Sequence, residues 1–549
     1  MKKYIVICSL CLTALLAPSC DKFLEEELTH LVSSESYYTT AAGLNDAVNA
    51  SYFYLKEYWS PNEMAAHLNC FGIDAYTNGA DGSHKGINFY DSRLEPNAQY
   101  FRDSWARFYE AVNQCNAVIG RSAQISDLDP ATRDLRVAEV RFLRALFYFQ
   151  LVKMYGDVHL SLEETIGVET EANRTPREQI YEQAIIPDLE FAIATLPATQ
   201  SNYGRATKPA AQFLLAKVHL TRGWLTNNQA DFAKAESLME TVINGYSFSL
   251  LENWGDLWDI DNQLNAEVVW AVQNTTDPIL NGEHGNRLHL YFLMEYDVLP
   301  GLTRDTENGR PWKRFRPTVW LEKLWNDVPG SDPVPLGQRR DVRYEQGFKH
   351  VFLANNAGTA PAGVNLGDTA VFLPGYEVSA AFRASKPYMI ITPSEYSDRR
   401  FPNLNKFIDN RRPDRQWERG QRDFVLMRLA DAYLIAAEAE HLQGKNQEAA
   451  EHINAVRRRA GREGQKDQME ITAGQVNIDY ILDERTRELV GEMHGWDDLV
   501  RTKKLVERVR LHNAQGGPNI QDYHTLRPIP QTQRDRSTND YPQNPGYPN

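Results

Sequence analysis

The chain has 549 residues, which is long enough for several hydrophobic cores. Its apolar fraction of 42% is ordinary for a soluble protein, and no segment after the N-terminus has the unbroken apolar run that a membrane helix needs. The formal net charge is −14. Removal of residues 1–19 takes away two lysines and leaves 57 basic against 73 acidic residues, a net charge of −16. Such an acidic chain argues against nonspecific binding to nucleic acid, which needs a basic face.

The first 19 residues have the organisation of a secretory signal peptide. Two lysines (2–3) precede an apolar segment (4–16) that is too short to span a bilayer, and the small residues 17–19 precede Cys20. A Cys in this position resembles a bacterial lipobox, which implies cleavage before Cys20 and lipidation of its thiol. The alternative is a plain cleaved signal with an incidental thiol at Cys20. Residues 20–40 are polar and are predicted to form an extended tether.

Residues 41–250 are predicted to be mainly helical. Apolar residues recur every three or four positions over residues 42–58, and further helices are predicted from about Tyr100, after Asp129-Pro130, and over 177–196 and 209–245. Between the first two helices, residues 59–99 are rich in aromatic side chains and are interrupted by Gly and Pro. We therefore expect a long irregular loop there, and such loops are more often functional than idle.

Helical periodicity fails over residues 251–421, where Pro, Gly and Trp recur and short β-like runs such as 268–272 occur. This region is predicted to be an irregular, partly β insert. Helices return over 422–461 and 477–510. The tail, residues 526–547, is rich in Pro and is predicted to lie extended on the surface.

Two stretches have the pattern of helical hairpins. In residues 426–461, apolar positions follow a helical period and Gly444 supplies a left-handed residue between the two helices. Residues 209–242 have a similar pattern, and the spacing within 216–223 matches that within 437–444. Such hairpins cannot bury their apolar faces alone, so we expect them to stack as tetratricopeptide repeats do. The alternative is two unrelated hairpins.

Cys70 and Cys115 are the cysteines that remain after Cys20 and the signal peptide are set aside. In an oxidising compartment they could form a disulfide, and two buried free thiols are an equal alternative. Neither has the neighbouring Cys or His that a zinc site requires.

Charged residues near the C-terminus permit a catalytic interpretation with Glu488, Glu492 and His494. Glu484 and Glu488, however, are one helical turn apart, and several arginines are available to pair with them, either Arg501 or residues 457–459. We favour a structural ion-pair network, which is costly to break once it is buried.

Residues 259–267 place oxygen ligands at alternating positions, as a calcium-binding loop would. The central Gly is missing and the Glu falls at position nine rather than twelve, so a solvated turn is favoured. The chain also lacks the sequence motifs of serine hydrolases, zinc proteases and phosphate-binding loops. No cofactor, metal site or catalytic residue is predicted, although paired carboxylates for glycoside cleavage come from distant segments and stay open.

A sugar ring presents C–H groups on one face and hydroxyls at its rim. A site for it therefore needs a flat aromatic side chain surrounded by amide, carboxylate or guanidinium groups. The 74–90 segment and the insert offer this mixture, although each aromatic residue could belong to the core, and Trp320 with Trp325 could form a buried stripe. The candidate ligand-binding residues are Tyr76, Asp81, His84, Asn88, Tyr90, Trp312, Arg314 and Trp320.

Several further stretches look familiar when they are taken together and in order. Asp483-Glu484-Arg485-Thr486-Arg487-Glu488-Leu489 is one of them, and the others are residues 138–145 with 151–158, 424–439, 453–457, 496–501 and 543–547. With the lipobox, they resemble the SusD/RagB family of outer-membrane nutrient-uptake lipoproteins of the Bacteroidetes. The resemblance extends from the lipobox to the last residues of the chain.

This resemblance implies a mainly α-helical fold, in which a scaffold of four tetratricopeptide-like helical pairs carries an irregular ligand-binding face. It implies binding without catalysis, of oligosaccharides or, in the RagB branch, of peptides. It also implies a SusC-like TonB-dependent transporter as partner, and a lipid-anchored location on the outer membrane facing the cell exterior. The alternative function is a lid or scaffold subunit of a peptide importer with little ligand binding of its own. The ligand itself is not indicated by any stretch of the sequence.

Overall fold

The computed structural model describes residues 37, 39–59, 64–82, 84–126, 128–281, 285–326 and 334–548. The predicted signal peptide, Cys20 and most of the predicted tether lie outside these residues. The N-terminal half is helical, and a π-helical turn at Tyr181–Ile185 joins two of its helices. Its elements are α1 (Ala41–Trp59), α2 (Met64–Cys70), β1 (Tyr76–Asn78), α3 (Lys85–Phe89), α4 (Gln99–Ser122), α5 (Pro130–Tyr155), α6 (Arg177–Ile180), α7 (Ile186–Thr195), α8 (Lys208–Thr226) and α9 (Gln229–Asn244).

The long helices of this half begin where the sequence supplies capping groups. The Asp129 carboxylate accepts a hydrogen bond of 2.9 Å from the backbone N–H three residues on, and Pro130 occupies the first position of α5. Thr207 and Asn228 cap α8 and α9 through their side-chain oxygens. Because such caps are local, the positions of these helices follow from the sequence alone.

The insert contains short elements and no helix longer than five residues among those described. The strands of the described residues form four small sheets, which pair β1 with β3, β2 with β9 (Phe424–Arg428) and β4 with β8, while β6 lies between β5 and β7. The elements of the insert are β2 (Val268–Val272), α10 (Pro278–Asn281), α11 (Leu288–Tyr291), β3 (Phe315–Pro317), α12 (Val319–Lys323), α13 (Arg343–Gly347), β4 (Phe348–Lys349), β5 (Val351–Leu353), β6 (Thr369–Phe372), α14 (Ala380–Ala384), β7 (Met389–Ile390) and β8 (Asn403–Leu404).

The C-terminal half returns to helices after one strand. That strand, β9, lies antiparallel to β2 and ties the two helical halves together through the start of the insert. The elements of this half are β9 (Phe424–Arg428), α15 (Leu429–Leu442), α16 (Asn446–Ala460), α17 (Ile478–Leu489), α18 (Gly495–Arg501), α19 (Leu505–His512) and α20 (Gln531–Arg536).

The two predicted hairpins stack on each other. Helix α9 of the first hairpin packs along α15 of the second, and the array continues through contacts of α8 with α7, α7 with α5, α5 with α4, and α4 with α1. The helices thus form four pairs in sequence, α1 with α4, α5 with α7, α8 with α9, and α15 with α16. The predicted stack is confirmed, and the buried alanines of α15 and α16 explain the close approach of these two helices.

The matched glycines of the two hairpins have different roles. Gly444 has a φ of +79° and lies after the end of α15, as predicted. Gly223 lies inside α8, where an added Cβ would come within 2.5 Å of the Phe232 ring. Gly223 therefore allows α8 and α9 to pack closely, and Asn227, with a φ of +54°, ends α8 instead.

A buried ion-pair network joins the insert to the C-terminal half. Its members are all buried, and we call it the Glu488 network: Glu267, Arg343, Lys406, Arg428, Arg459, Glu484, Glu488 and Glu492. The Glu488 carboxylate accepts from Arg428 at 2.7 Å and from Arg343 at 2.8 Å. Burial alone would raise the pKa of Glu488, but the guanidinium groups of Arg459, Arg428 and Arg343 outweigh it and lower the pKa.

The network confirms the structural interpretation of the charged C-terminal segment. Glu484 pairs with Arg457 at 2.7 Å, and Glu488 pairs with Arg459. Arg501, the other predicted partner, pairs instead with Glu438 at 2.7 Å and with Asp498 at 2.8 Å.

Three expectations from the sequence need correction. The region 59–99 contains α2, β1 and α3 rather than one long loop. Residues 426–428 belong to β9, so the first helix of the second hairpin begins at Leu429. The Pro-rich tail is neither wholly extended nor wholly on the surface, because it contains a helix (Gln531–Arg536), Tyr541 is only 2% exposed, and the Asn544 amide donates to the backbone oxygens of Tyr155 and Arg527.

Cys70 and Cys115 are free thiols in the structure, and both are buried. Burial raises the pKa of each thiol to about 12. Of the two alternatives that the sequence left open, a disulfide or two buried free thiols, the structure has the free thiols.

Candidate functional site

The pairing of β1 with β3 brings two distant loops together. Tyr76 lies opposite Pro317 and Asn78 opposite Phe315. The ladder then continues past the strands, since the Gly79 N–H donates to the Arg314 oxygen at 2.9 Å. A Cβ on Gly79 would lie 2.2 Å from the backbone oxygen of Lys313, so only glycine allows this approach.

Trp312 and Arg314 lie on the second of these loops. The backbone N–H groups of both residues donate to the last turn of α11, at 3.0 Å each. Lys313 between them has a φ of +48°, a left-handed conformation that bends the chain at this point. The loop is therefore held from two sides, by α11 and by residues 79–82.

An aromatic side chain on this loop is surrounded by guanidinium groups. The Trp312 ring is partly buried, and its centroid lies 4.4 Å from the Arg314 Cζ and 6.0 Å from the Arg310 Cζ. The Tyr291 ring centroid lies 5.7 Å from that of Trp312. With exposed Asp81, these residues form what we call the Trp312 surface: Asp81, Tyr291, Arg310, Trp312 and Arg314.

Carboxylates at the edge of the Trp312 surface pair with Arg310 and with two neighbouring cations. Arg310 pairs with Glu418 at 2.5 Å. Glu295 accepts from Lys313 at 3.0 Å and from Arg399 at 2.8 Å. Burial would raise the pKa of Glu295, but these two cations outweigh it and lower the pKa. The rim is thus charged with both signs and is positioned by its own ion pairs.

Arg314 is in a different environment from the other cations of the rim. Burial lowers its pKa to about 10, against a smaller opposite effect of Glu418. The side chain therefore stays protonated at neutral pH, but its charge is poorly solvated. Hydroxyl oxygens of a ligand are acceptors that a guanidinium can bind in addition to its contacts within the protein.

Three other residues that were predicted to bind the ligand are buried in the core and do not belong to the Trp312 surface. Tyr76 is 1% exposed and packs against Phe292 and Phe315. Asn88 is fully buried and donates to the Gln515 side chain at 2.7 Å. Tyr90 is 3% exposed, and its hydroxyl donates to the Gly72 oxygen at 2.7 Å. Because their side chains are buried, Tyr76, Asn88 and Tyr90 are not placed to contact a ligand, and the prediction for these three residues is corrected.

The remaining candidates are divided between two places. The His84 ring packs on those of Tyr100 and His67, and the His67 ring lies 6.0 Å from that of Tyr291 in the Trp312 surface. Burial lowers the pKa of His84. Trp320 lies elsewhere, stacked on His512 of α19 at 4.9 Å with the Arg508 guanidinium 4.8 Å from its ring. Of the eight predicted residues, Asp81, His84, Trp312 and Arg314 share one region.

Tyr291, Arg310 and the acidic rim residues were not among the sequence candidates. Arg310 lies two positions before the predicted Trp312, so it could have been named from its place in the chain. Tyr291, Glu295 and Glu418 come from segments whose proximity only the fold establishes.

The calcium-loop alternative for residues 259–267 is not favoured by the geometry of this segment. Asp259 caps a 3₁₀ turn through its own carboxylate, and the Glu267 side chain turns into the Glu488 network, where it accepts from Arg428 at 2.9 Å. The oxygens therefore point to different places, in agreement with the turn favoured by the sequence.

One group of potential metal ligands occurs among the described residues, formed by Glu240, Glu440 and His452. The two imidazole nitrogens contact different carboxylates, Nε2 with Glu240 at 3.0 Å and Nδ1 with Glu440 at 2.8 Å. This geometry suits a protonated imidazole between two carboxylates better than a metal ion, which would need one nitrogen turned toward the same point as both oxygens.

Comparisons with known proteins agree with this architecture. The model of the SusD family matches residues 266–547, and a second family model, described as starch-binding associating with outer membrane, matches residues 31–220. The first match alone covers more than half of the chain. The chain belongs to the SusD family, as the sequence resemblance predicted.

Individual relatives extend over nearly the whole chain. SusD-like protein P25 of Formosa agariphila is 26% identical over 539 residues, which is 93% of each chain. A solved laminarin-binding SusD-like protein superposes with a TM-score of 0.67 at 24% identity, covering 92% of this chain and 99% of that one. Surface glycan-binding protein A of Bacteroides thetaiotaomicron, solved with laminarihexaose, gives 0.68 at 21% identity over the same shares of the two chains. These structures confirm the predicted mainly helical SusD-like fold.

Among the helices of the described ranges, none combines the length and the apolar character that crossing a membrane requires.

Proposed function

We propose that this protein is a surface lipoprotein that captures a nutrient oligosaccharide and delivers it to a SusC-like TonB-dependent transporter. Lipidation of Cys20 would hold it on the outer membrane, facing the cell exterior. The protein would act by binding, with no covalent chemistry. Family membership and the glycan binding for which relatives are named support this proposal, and the observation that carries it is the partly buried Trp312 ring between Arg310 and Arg314.

The Trp312 surface has the chemistry that a sugar requires. A partly exposed indole can pack against the C–H face of a sugar ring, and the interaction is enhanced by displacement of water from both surfaces. The guanidinium groups of Arg310 and Arg314 and the carboxylate of Asp81 can then pair with the hydroxyls at the rim of the ring. Because the supporting loops are fixed by backbone hydrogen bonds, little order has to be acquired on binding.

A laminarin-type glucan is the first ligand to test, because two solved relatives are named for laminarin or laminarihexaose. Calorimetry of the mature protein against laminarihexaose, maltohexaose, cellohexaose and xylohexaose would measure affinity directly. We expect at least one of these to bind, and Trp312→Ala to raise its Kd about 10-fold or more through loss of stacking and apolar contact.

Trp320→Ala is the matched control, since Trp320 also stacks with an arginine but outside the Trp312 surface. It should leave the affinity within about twofold of the wild type. The proposal fails if Trp312→Ala binds as the wild type does, or if Trp320→Ala alone abolishes binding.

The transporter part of the proposal needs a separate measurement. Purification from the native outer membrane should yield the protein together with a TonB-dependent barrel, and Cys20→Ala should release it from the membrane. A different result is a protein that co-purifies firmly with the barrel but binds no glycan of a wider panel. This result would favour the peptide-importing lid over the glycan-binding protein. Release of product from those glycans would instead point to a hydrolase.

A further inference from the structure

A cleft separate from the Trp312 surface lies on the flank of α1. It is bounded by one side of α1, by the loop 201–205 between α7 and α8, and by the chain that follows β2. Its volume is about 720 Å³, which lies within the range of small-molecule sites. None of its lining residues belongs to the Trp312 surface. We call it the α1 cleft.

The lining combines aromatic rings with side-chain amides. Phe53 is 44% exposed, and Tyr203 contributes a second ring. The amides of Asn202 and Gln273 are exposed at the cleft and make no hydrogen bond to the described part of the chain. Gly204, with a φ of +90°, leaves space that the Gln273 side chain occupies, because a Cβ there would lie 2.8 Å from it. Gln273 is thereby held at the cleft.

The charges of the α1 cleft are already neutralised or engaged. Arg205 donates to Glu139 and to Asn49, at 2.7 Å in each case. The Lys56 ammonium donates to the Asn281 side chain at 3.3 Å. No carboxylate lines the cleft among the described residues. A cationic ligand would therefore find no carboxylate in the lining, whereas a neutral ligand rich in hydroxyls would find amide donors and acceptors.

We propose that the α1 cleft binds a neutral saccharide unit. One face of the sugar would pack on Phe53 or Tyr203, and its hydroxyls would pair with the amides of Asn202 and Gln273. This site does not depend on ligand binding at the Trp312 surface. If both bind the same polysaccharide, the second contact becomes intramolecular and the apparent affinity for long chains exceeds that for single sugars.

The main alternative occupant is an apolar protein segment, since Leu280 at the same cleft is 69% exposed. The amides argue against it, because an apolar segment would bury Asn202 and Gln273 without hydrogen-bond partners. Each unsatisfied polar group would then oppose binding.

The test uses full-length mature Trp312→Ala protein, in which the Trp312 surface is disabled. Saturation-transfer NMR would be recorded with millimolar methyl β-glucopyranoside, methyl β-galactopyranoside and methyl α-mannopyranoside. We expect transfer to at least one glycoside, reduced roughly 3- to 10-fold by an added Phe53→Ala or Gln273→Ala substitution. Phe382→Ala is the control, since Phe382 is 36% exposed on α14 and lies outside the α1 cleft.

Each outcome decides the proposal. Unchanged transfer in the Phe53→Ala protein, or no transfer to any of the three glycosides, overturns it. Binding of an anilinonaphthalene dye that is lost in Phe53→Ala, without any glycoside signal, overturns it in favour of an apolar occupant. Equal urea midpoints would show that the variants are equally stable, so that a difference in saturation transfer reports a difference in binding. Calorimetry with hexasaccharides on Phe53→Ala protein, with and without Trp312→Ala, reports on the Trp312 surface separately, so the two proposals can fail independently.

Discussion

The Glu488 network and the Trp312 surface use the same types of side chain for different purposes. In the network, buried Arg343 and Arg428 each meet more than one carboxylate, and the Trp254 indole N–H donates to Glu488 at 3.1 Å. At the surface, the Arg314 guanidinium lies over an indole ring instead. Arginine surrounded by carboxylates fixes packing, whereas arginine beside a partly exposed ring helps to shape a surface that a ligand can reach.

The pKa shifts of the two regions express this difference. Burial would lower the pKa of Arg343, but Asp341, Glu484 and Glu488 outweigh it and raise the pKa well above the usual value. At Arg314, burial prevails and lowers the pKa to about 10. In the Glu488 network, carboxylates outweigh the cost of burying the Arg343 charge, whereas at the Trp312 surface they offset the cost of burying the Arg314 charge only in part.

The largest expected effect comes from breaking the network at its centre. Glu488→Gln removes the charge that faces three guanidinium groups, and we expect it to destabilise the protein by about 3–5 kcal/mol. Urea unfolding followed by tryptophan fluorescence measures this, and failure of the variant to accumulate as folded protein agrees with the same expectation.

Arg458→Ala provides the matched comparison, since the Arg458–Glu470 pair is 44% and 40% exposed at its two side chains. Its cost should stay below about 1 kcal/mol. Similar costs for the two substitutions would contradict the distinction between buried and exposed pairs.

A smaller effect is expected where the two loops of the Trp312 surface meet. Gly79→Ala places a methyl group against the backbone oxygen of Lys313, so the loops must separate. We expect a loss of stability of about 1–3 kcal/mol together with weaker glycan binding. Gly120→Ala is the control, because a Cβ at this exposed position of α4 meets nothing within 4 Å. It should be neutral or stabilise by up to about 1 kcal/mol. Weaker binding in both variants would contradict the assigned role of Gly79.

The smallest predicted effect depends on pH and lies between the two hairpins. Burial would lower the pKa of His452, but Glu440 and, to a smaller degree, Glu240 and Glu451 raise it. These carboxylates face it from α15, α9 and α16 respectively, and Glu236 of α9 lies beside Glu440. Because the folded pKa exceeds the unfolded one, the contribution is complete below the unfolded pKa and is lost as the pH rises through the folded pKa.

His452→Gln should therefore cost on the order of 1 kcal/mol at pH 6 and less at pH 9, as measured by urea unfolding at each pH. In a Glu440→Gln background the same substitution should show a shallower pH dependence, since the main partner of the imidazole is gone. A cost that is constant from pH 6 to pH 9 would show that the imidazole is not a charged link between the helices.

Local signals made the helical scaffold predictable. The caps at Asp129, Thr207 and Asn228 and the helical period of the apolar residues depend only on near neighbours in the chain, so the hairpins could be found and their stacking expected. Family resemblance then supplied the class of protein.

The ligand face could be predicted only in part, because burial there depends on distant segments. Tyr90 and Trp312 look alike in sequence, as aromatic residues among Gly, Pro and charged neighbours. Tyr90 is covered by the C-terminal segment, where its ring lies 5.0 Å from that of His524, whereas Trp312 is left at the edge of the paired loops. Both residues were therefore candidates in the sequence, and only the fold separates them.

The most direct test of the central claim is a crystal structure of the mature protein with the tightest-binding hexasaccharide of the panel. We expect a sugar ring within van der Waals distance of the Trp312 indole, with hydroxyls within hydrogen-bond distance of Arg310 or Arg314. A bound hexasaccharide that leaves the Trp312 ring uncovered would contradict the account.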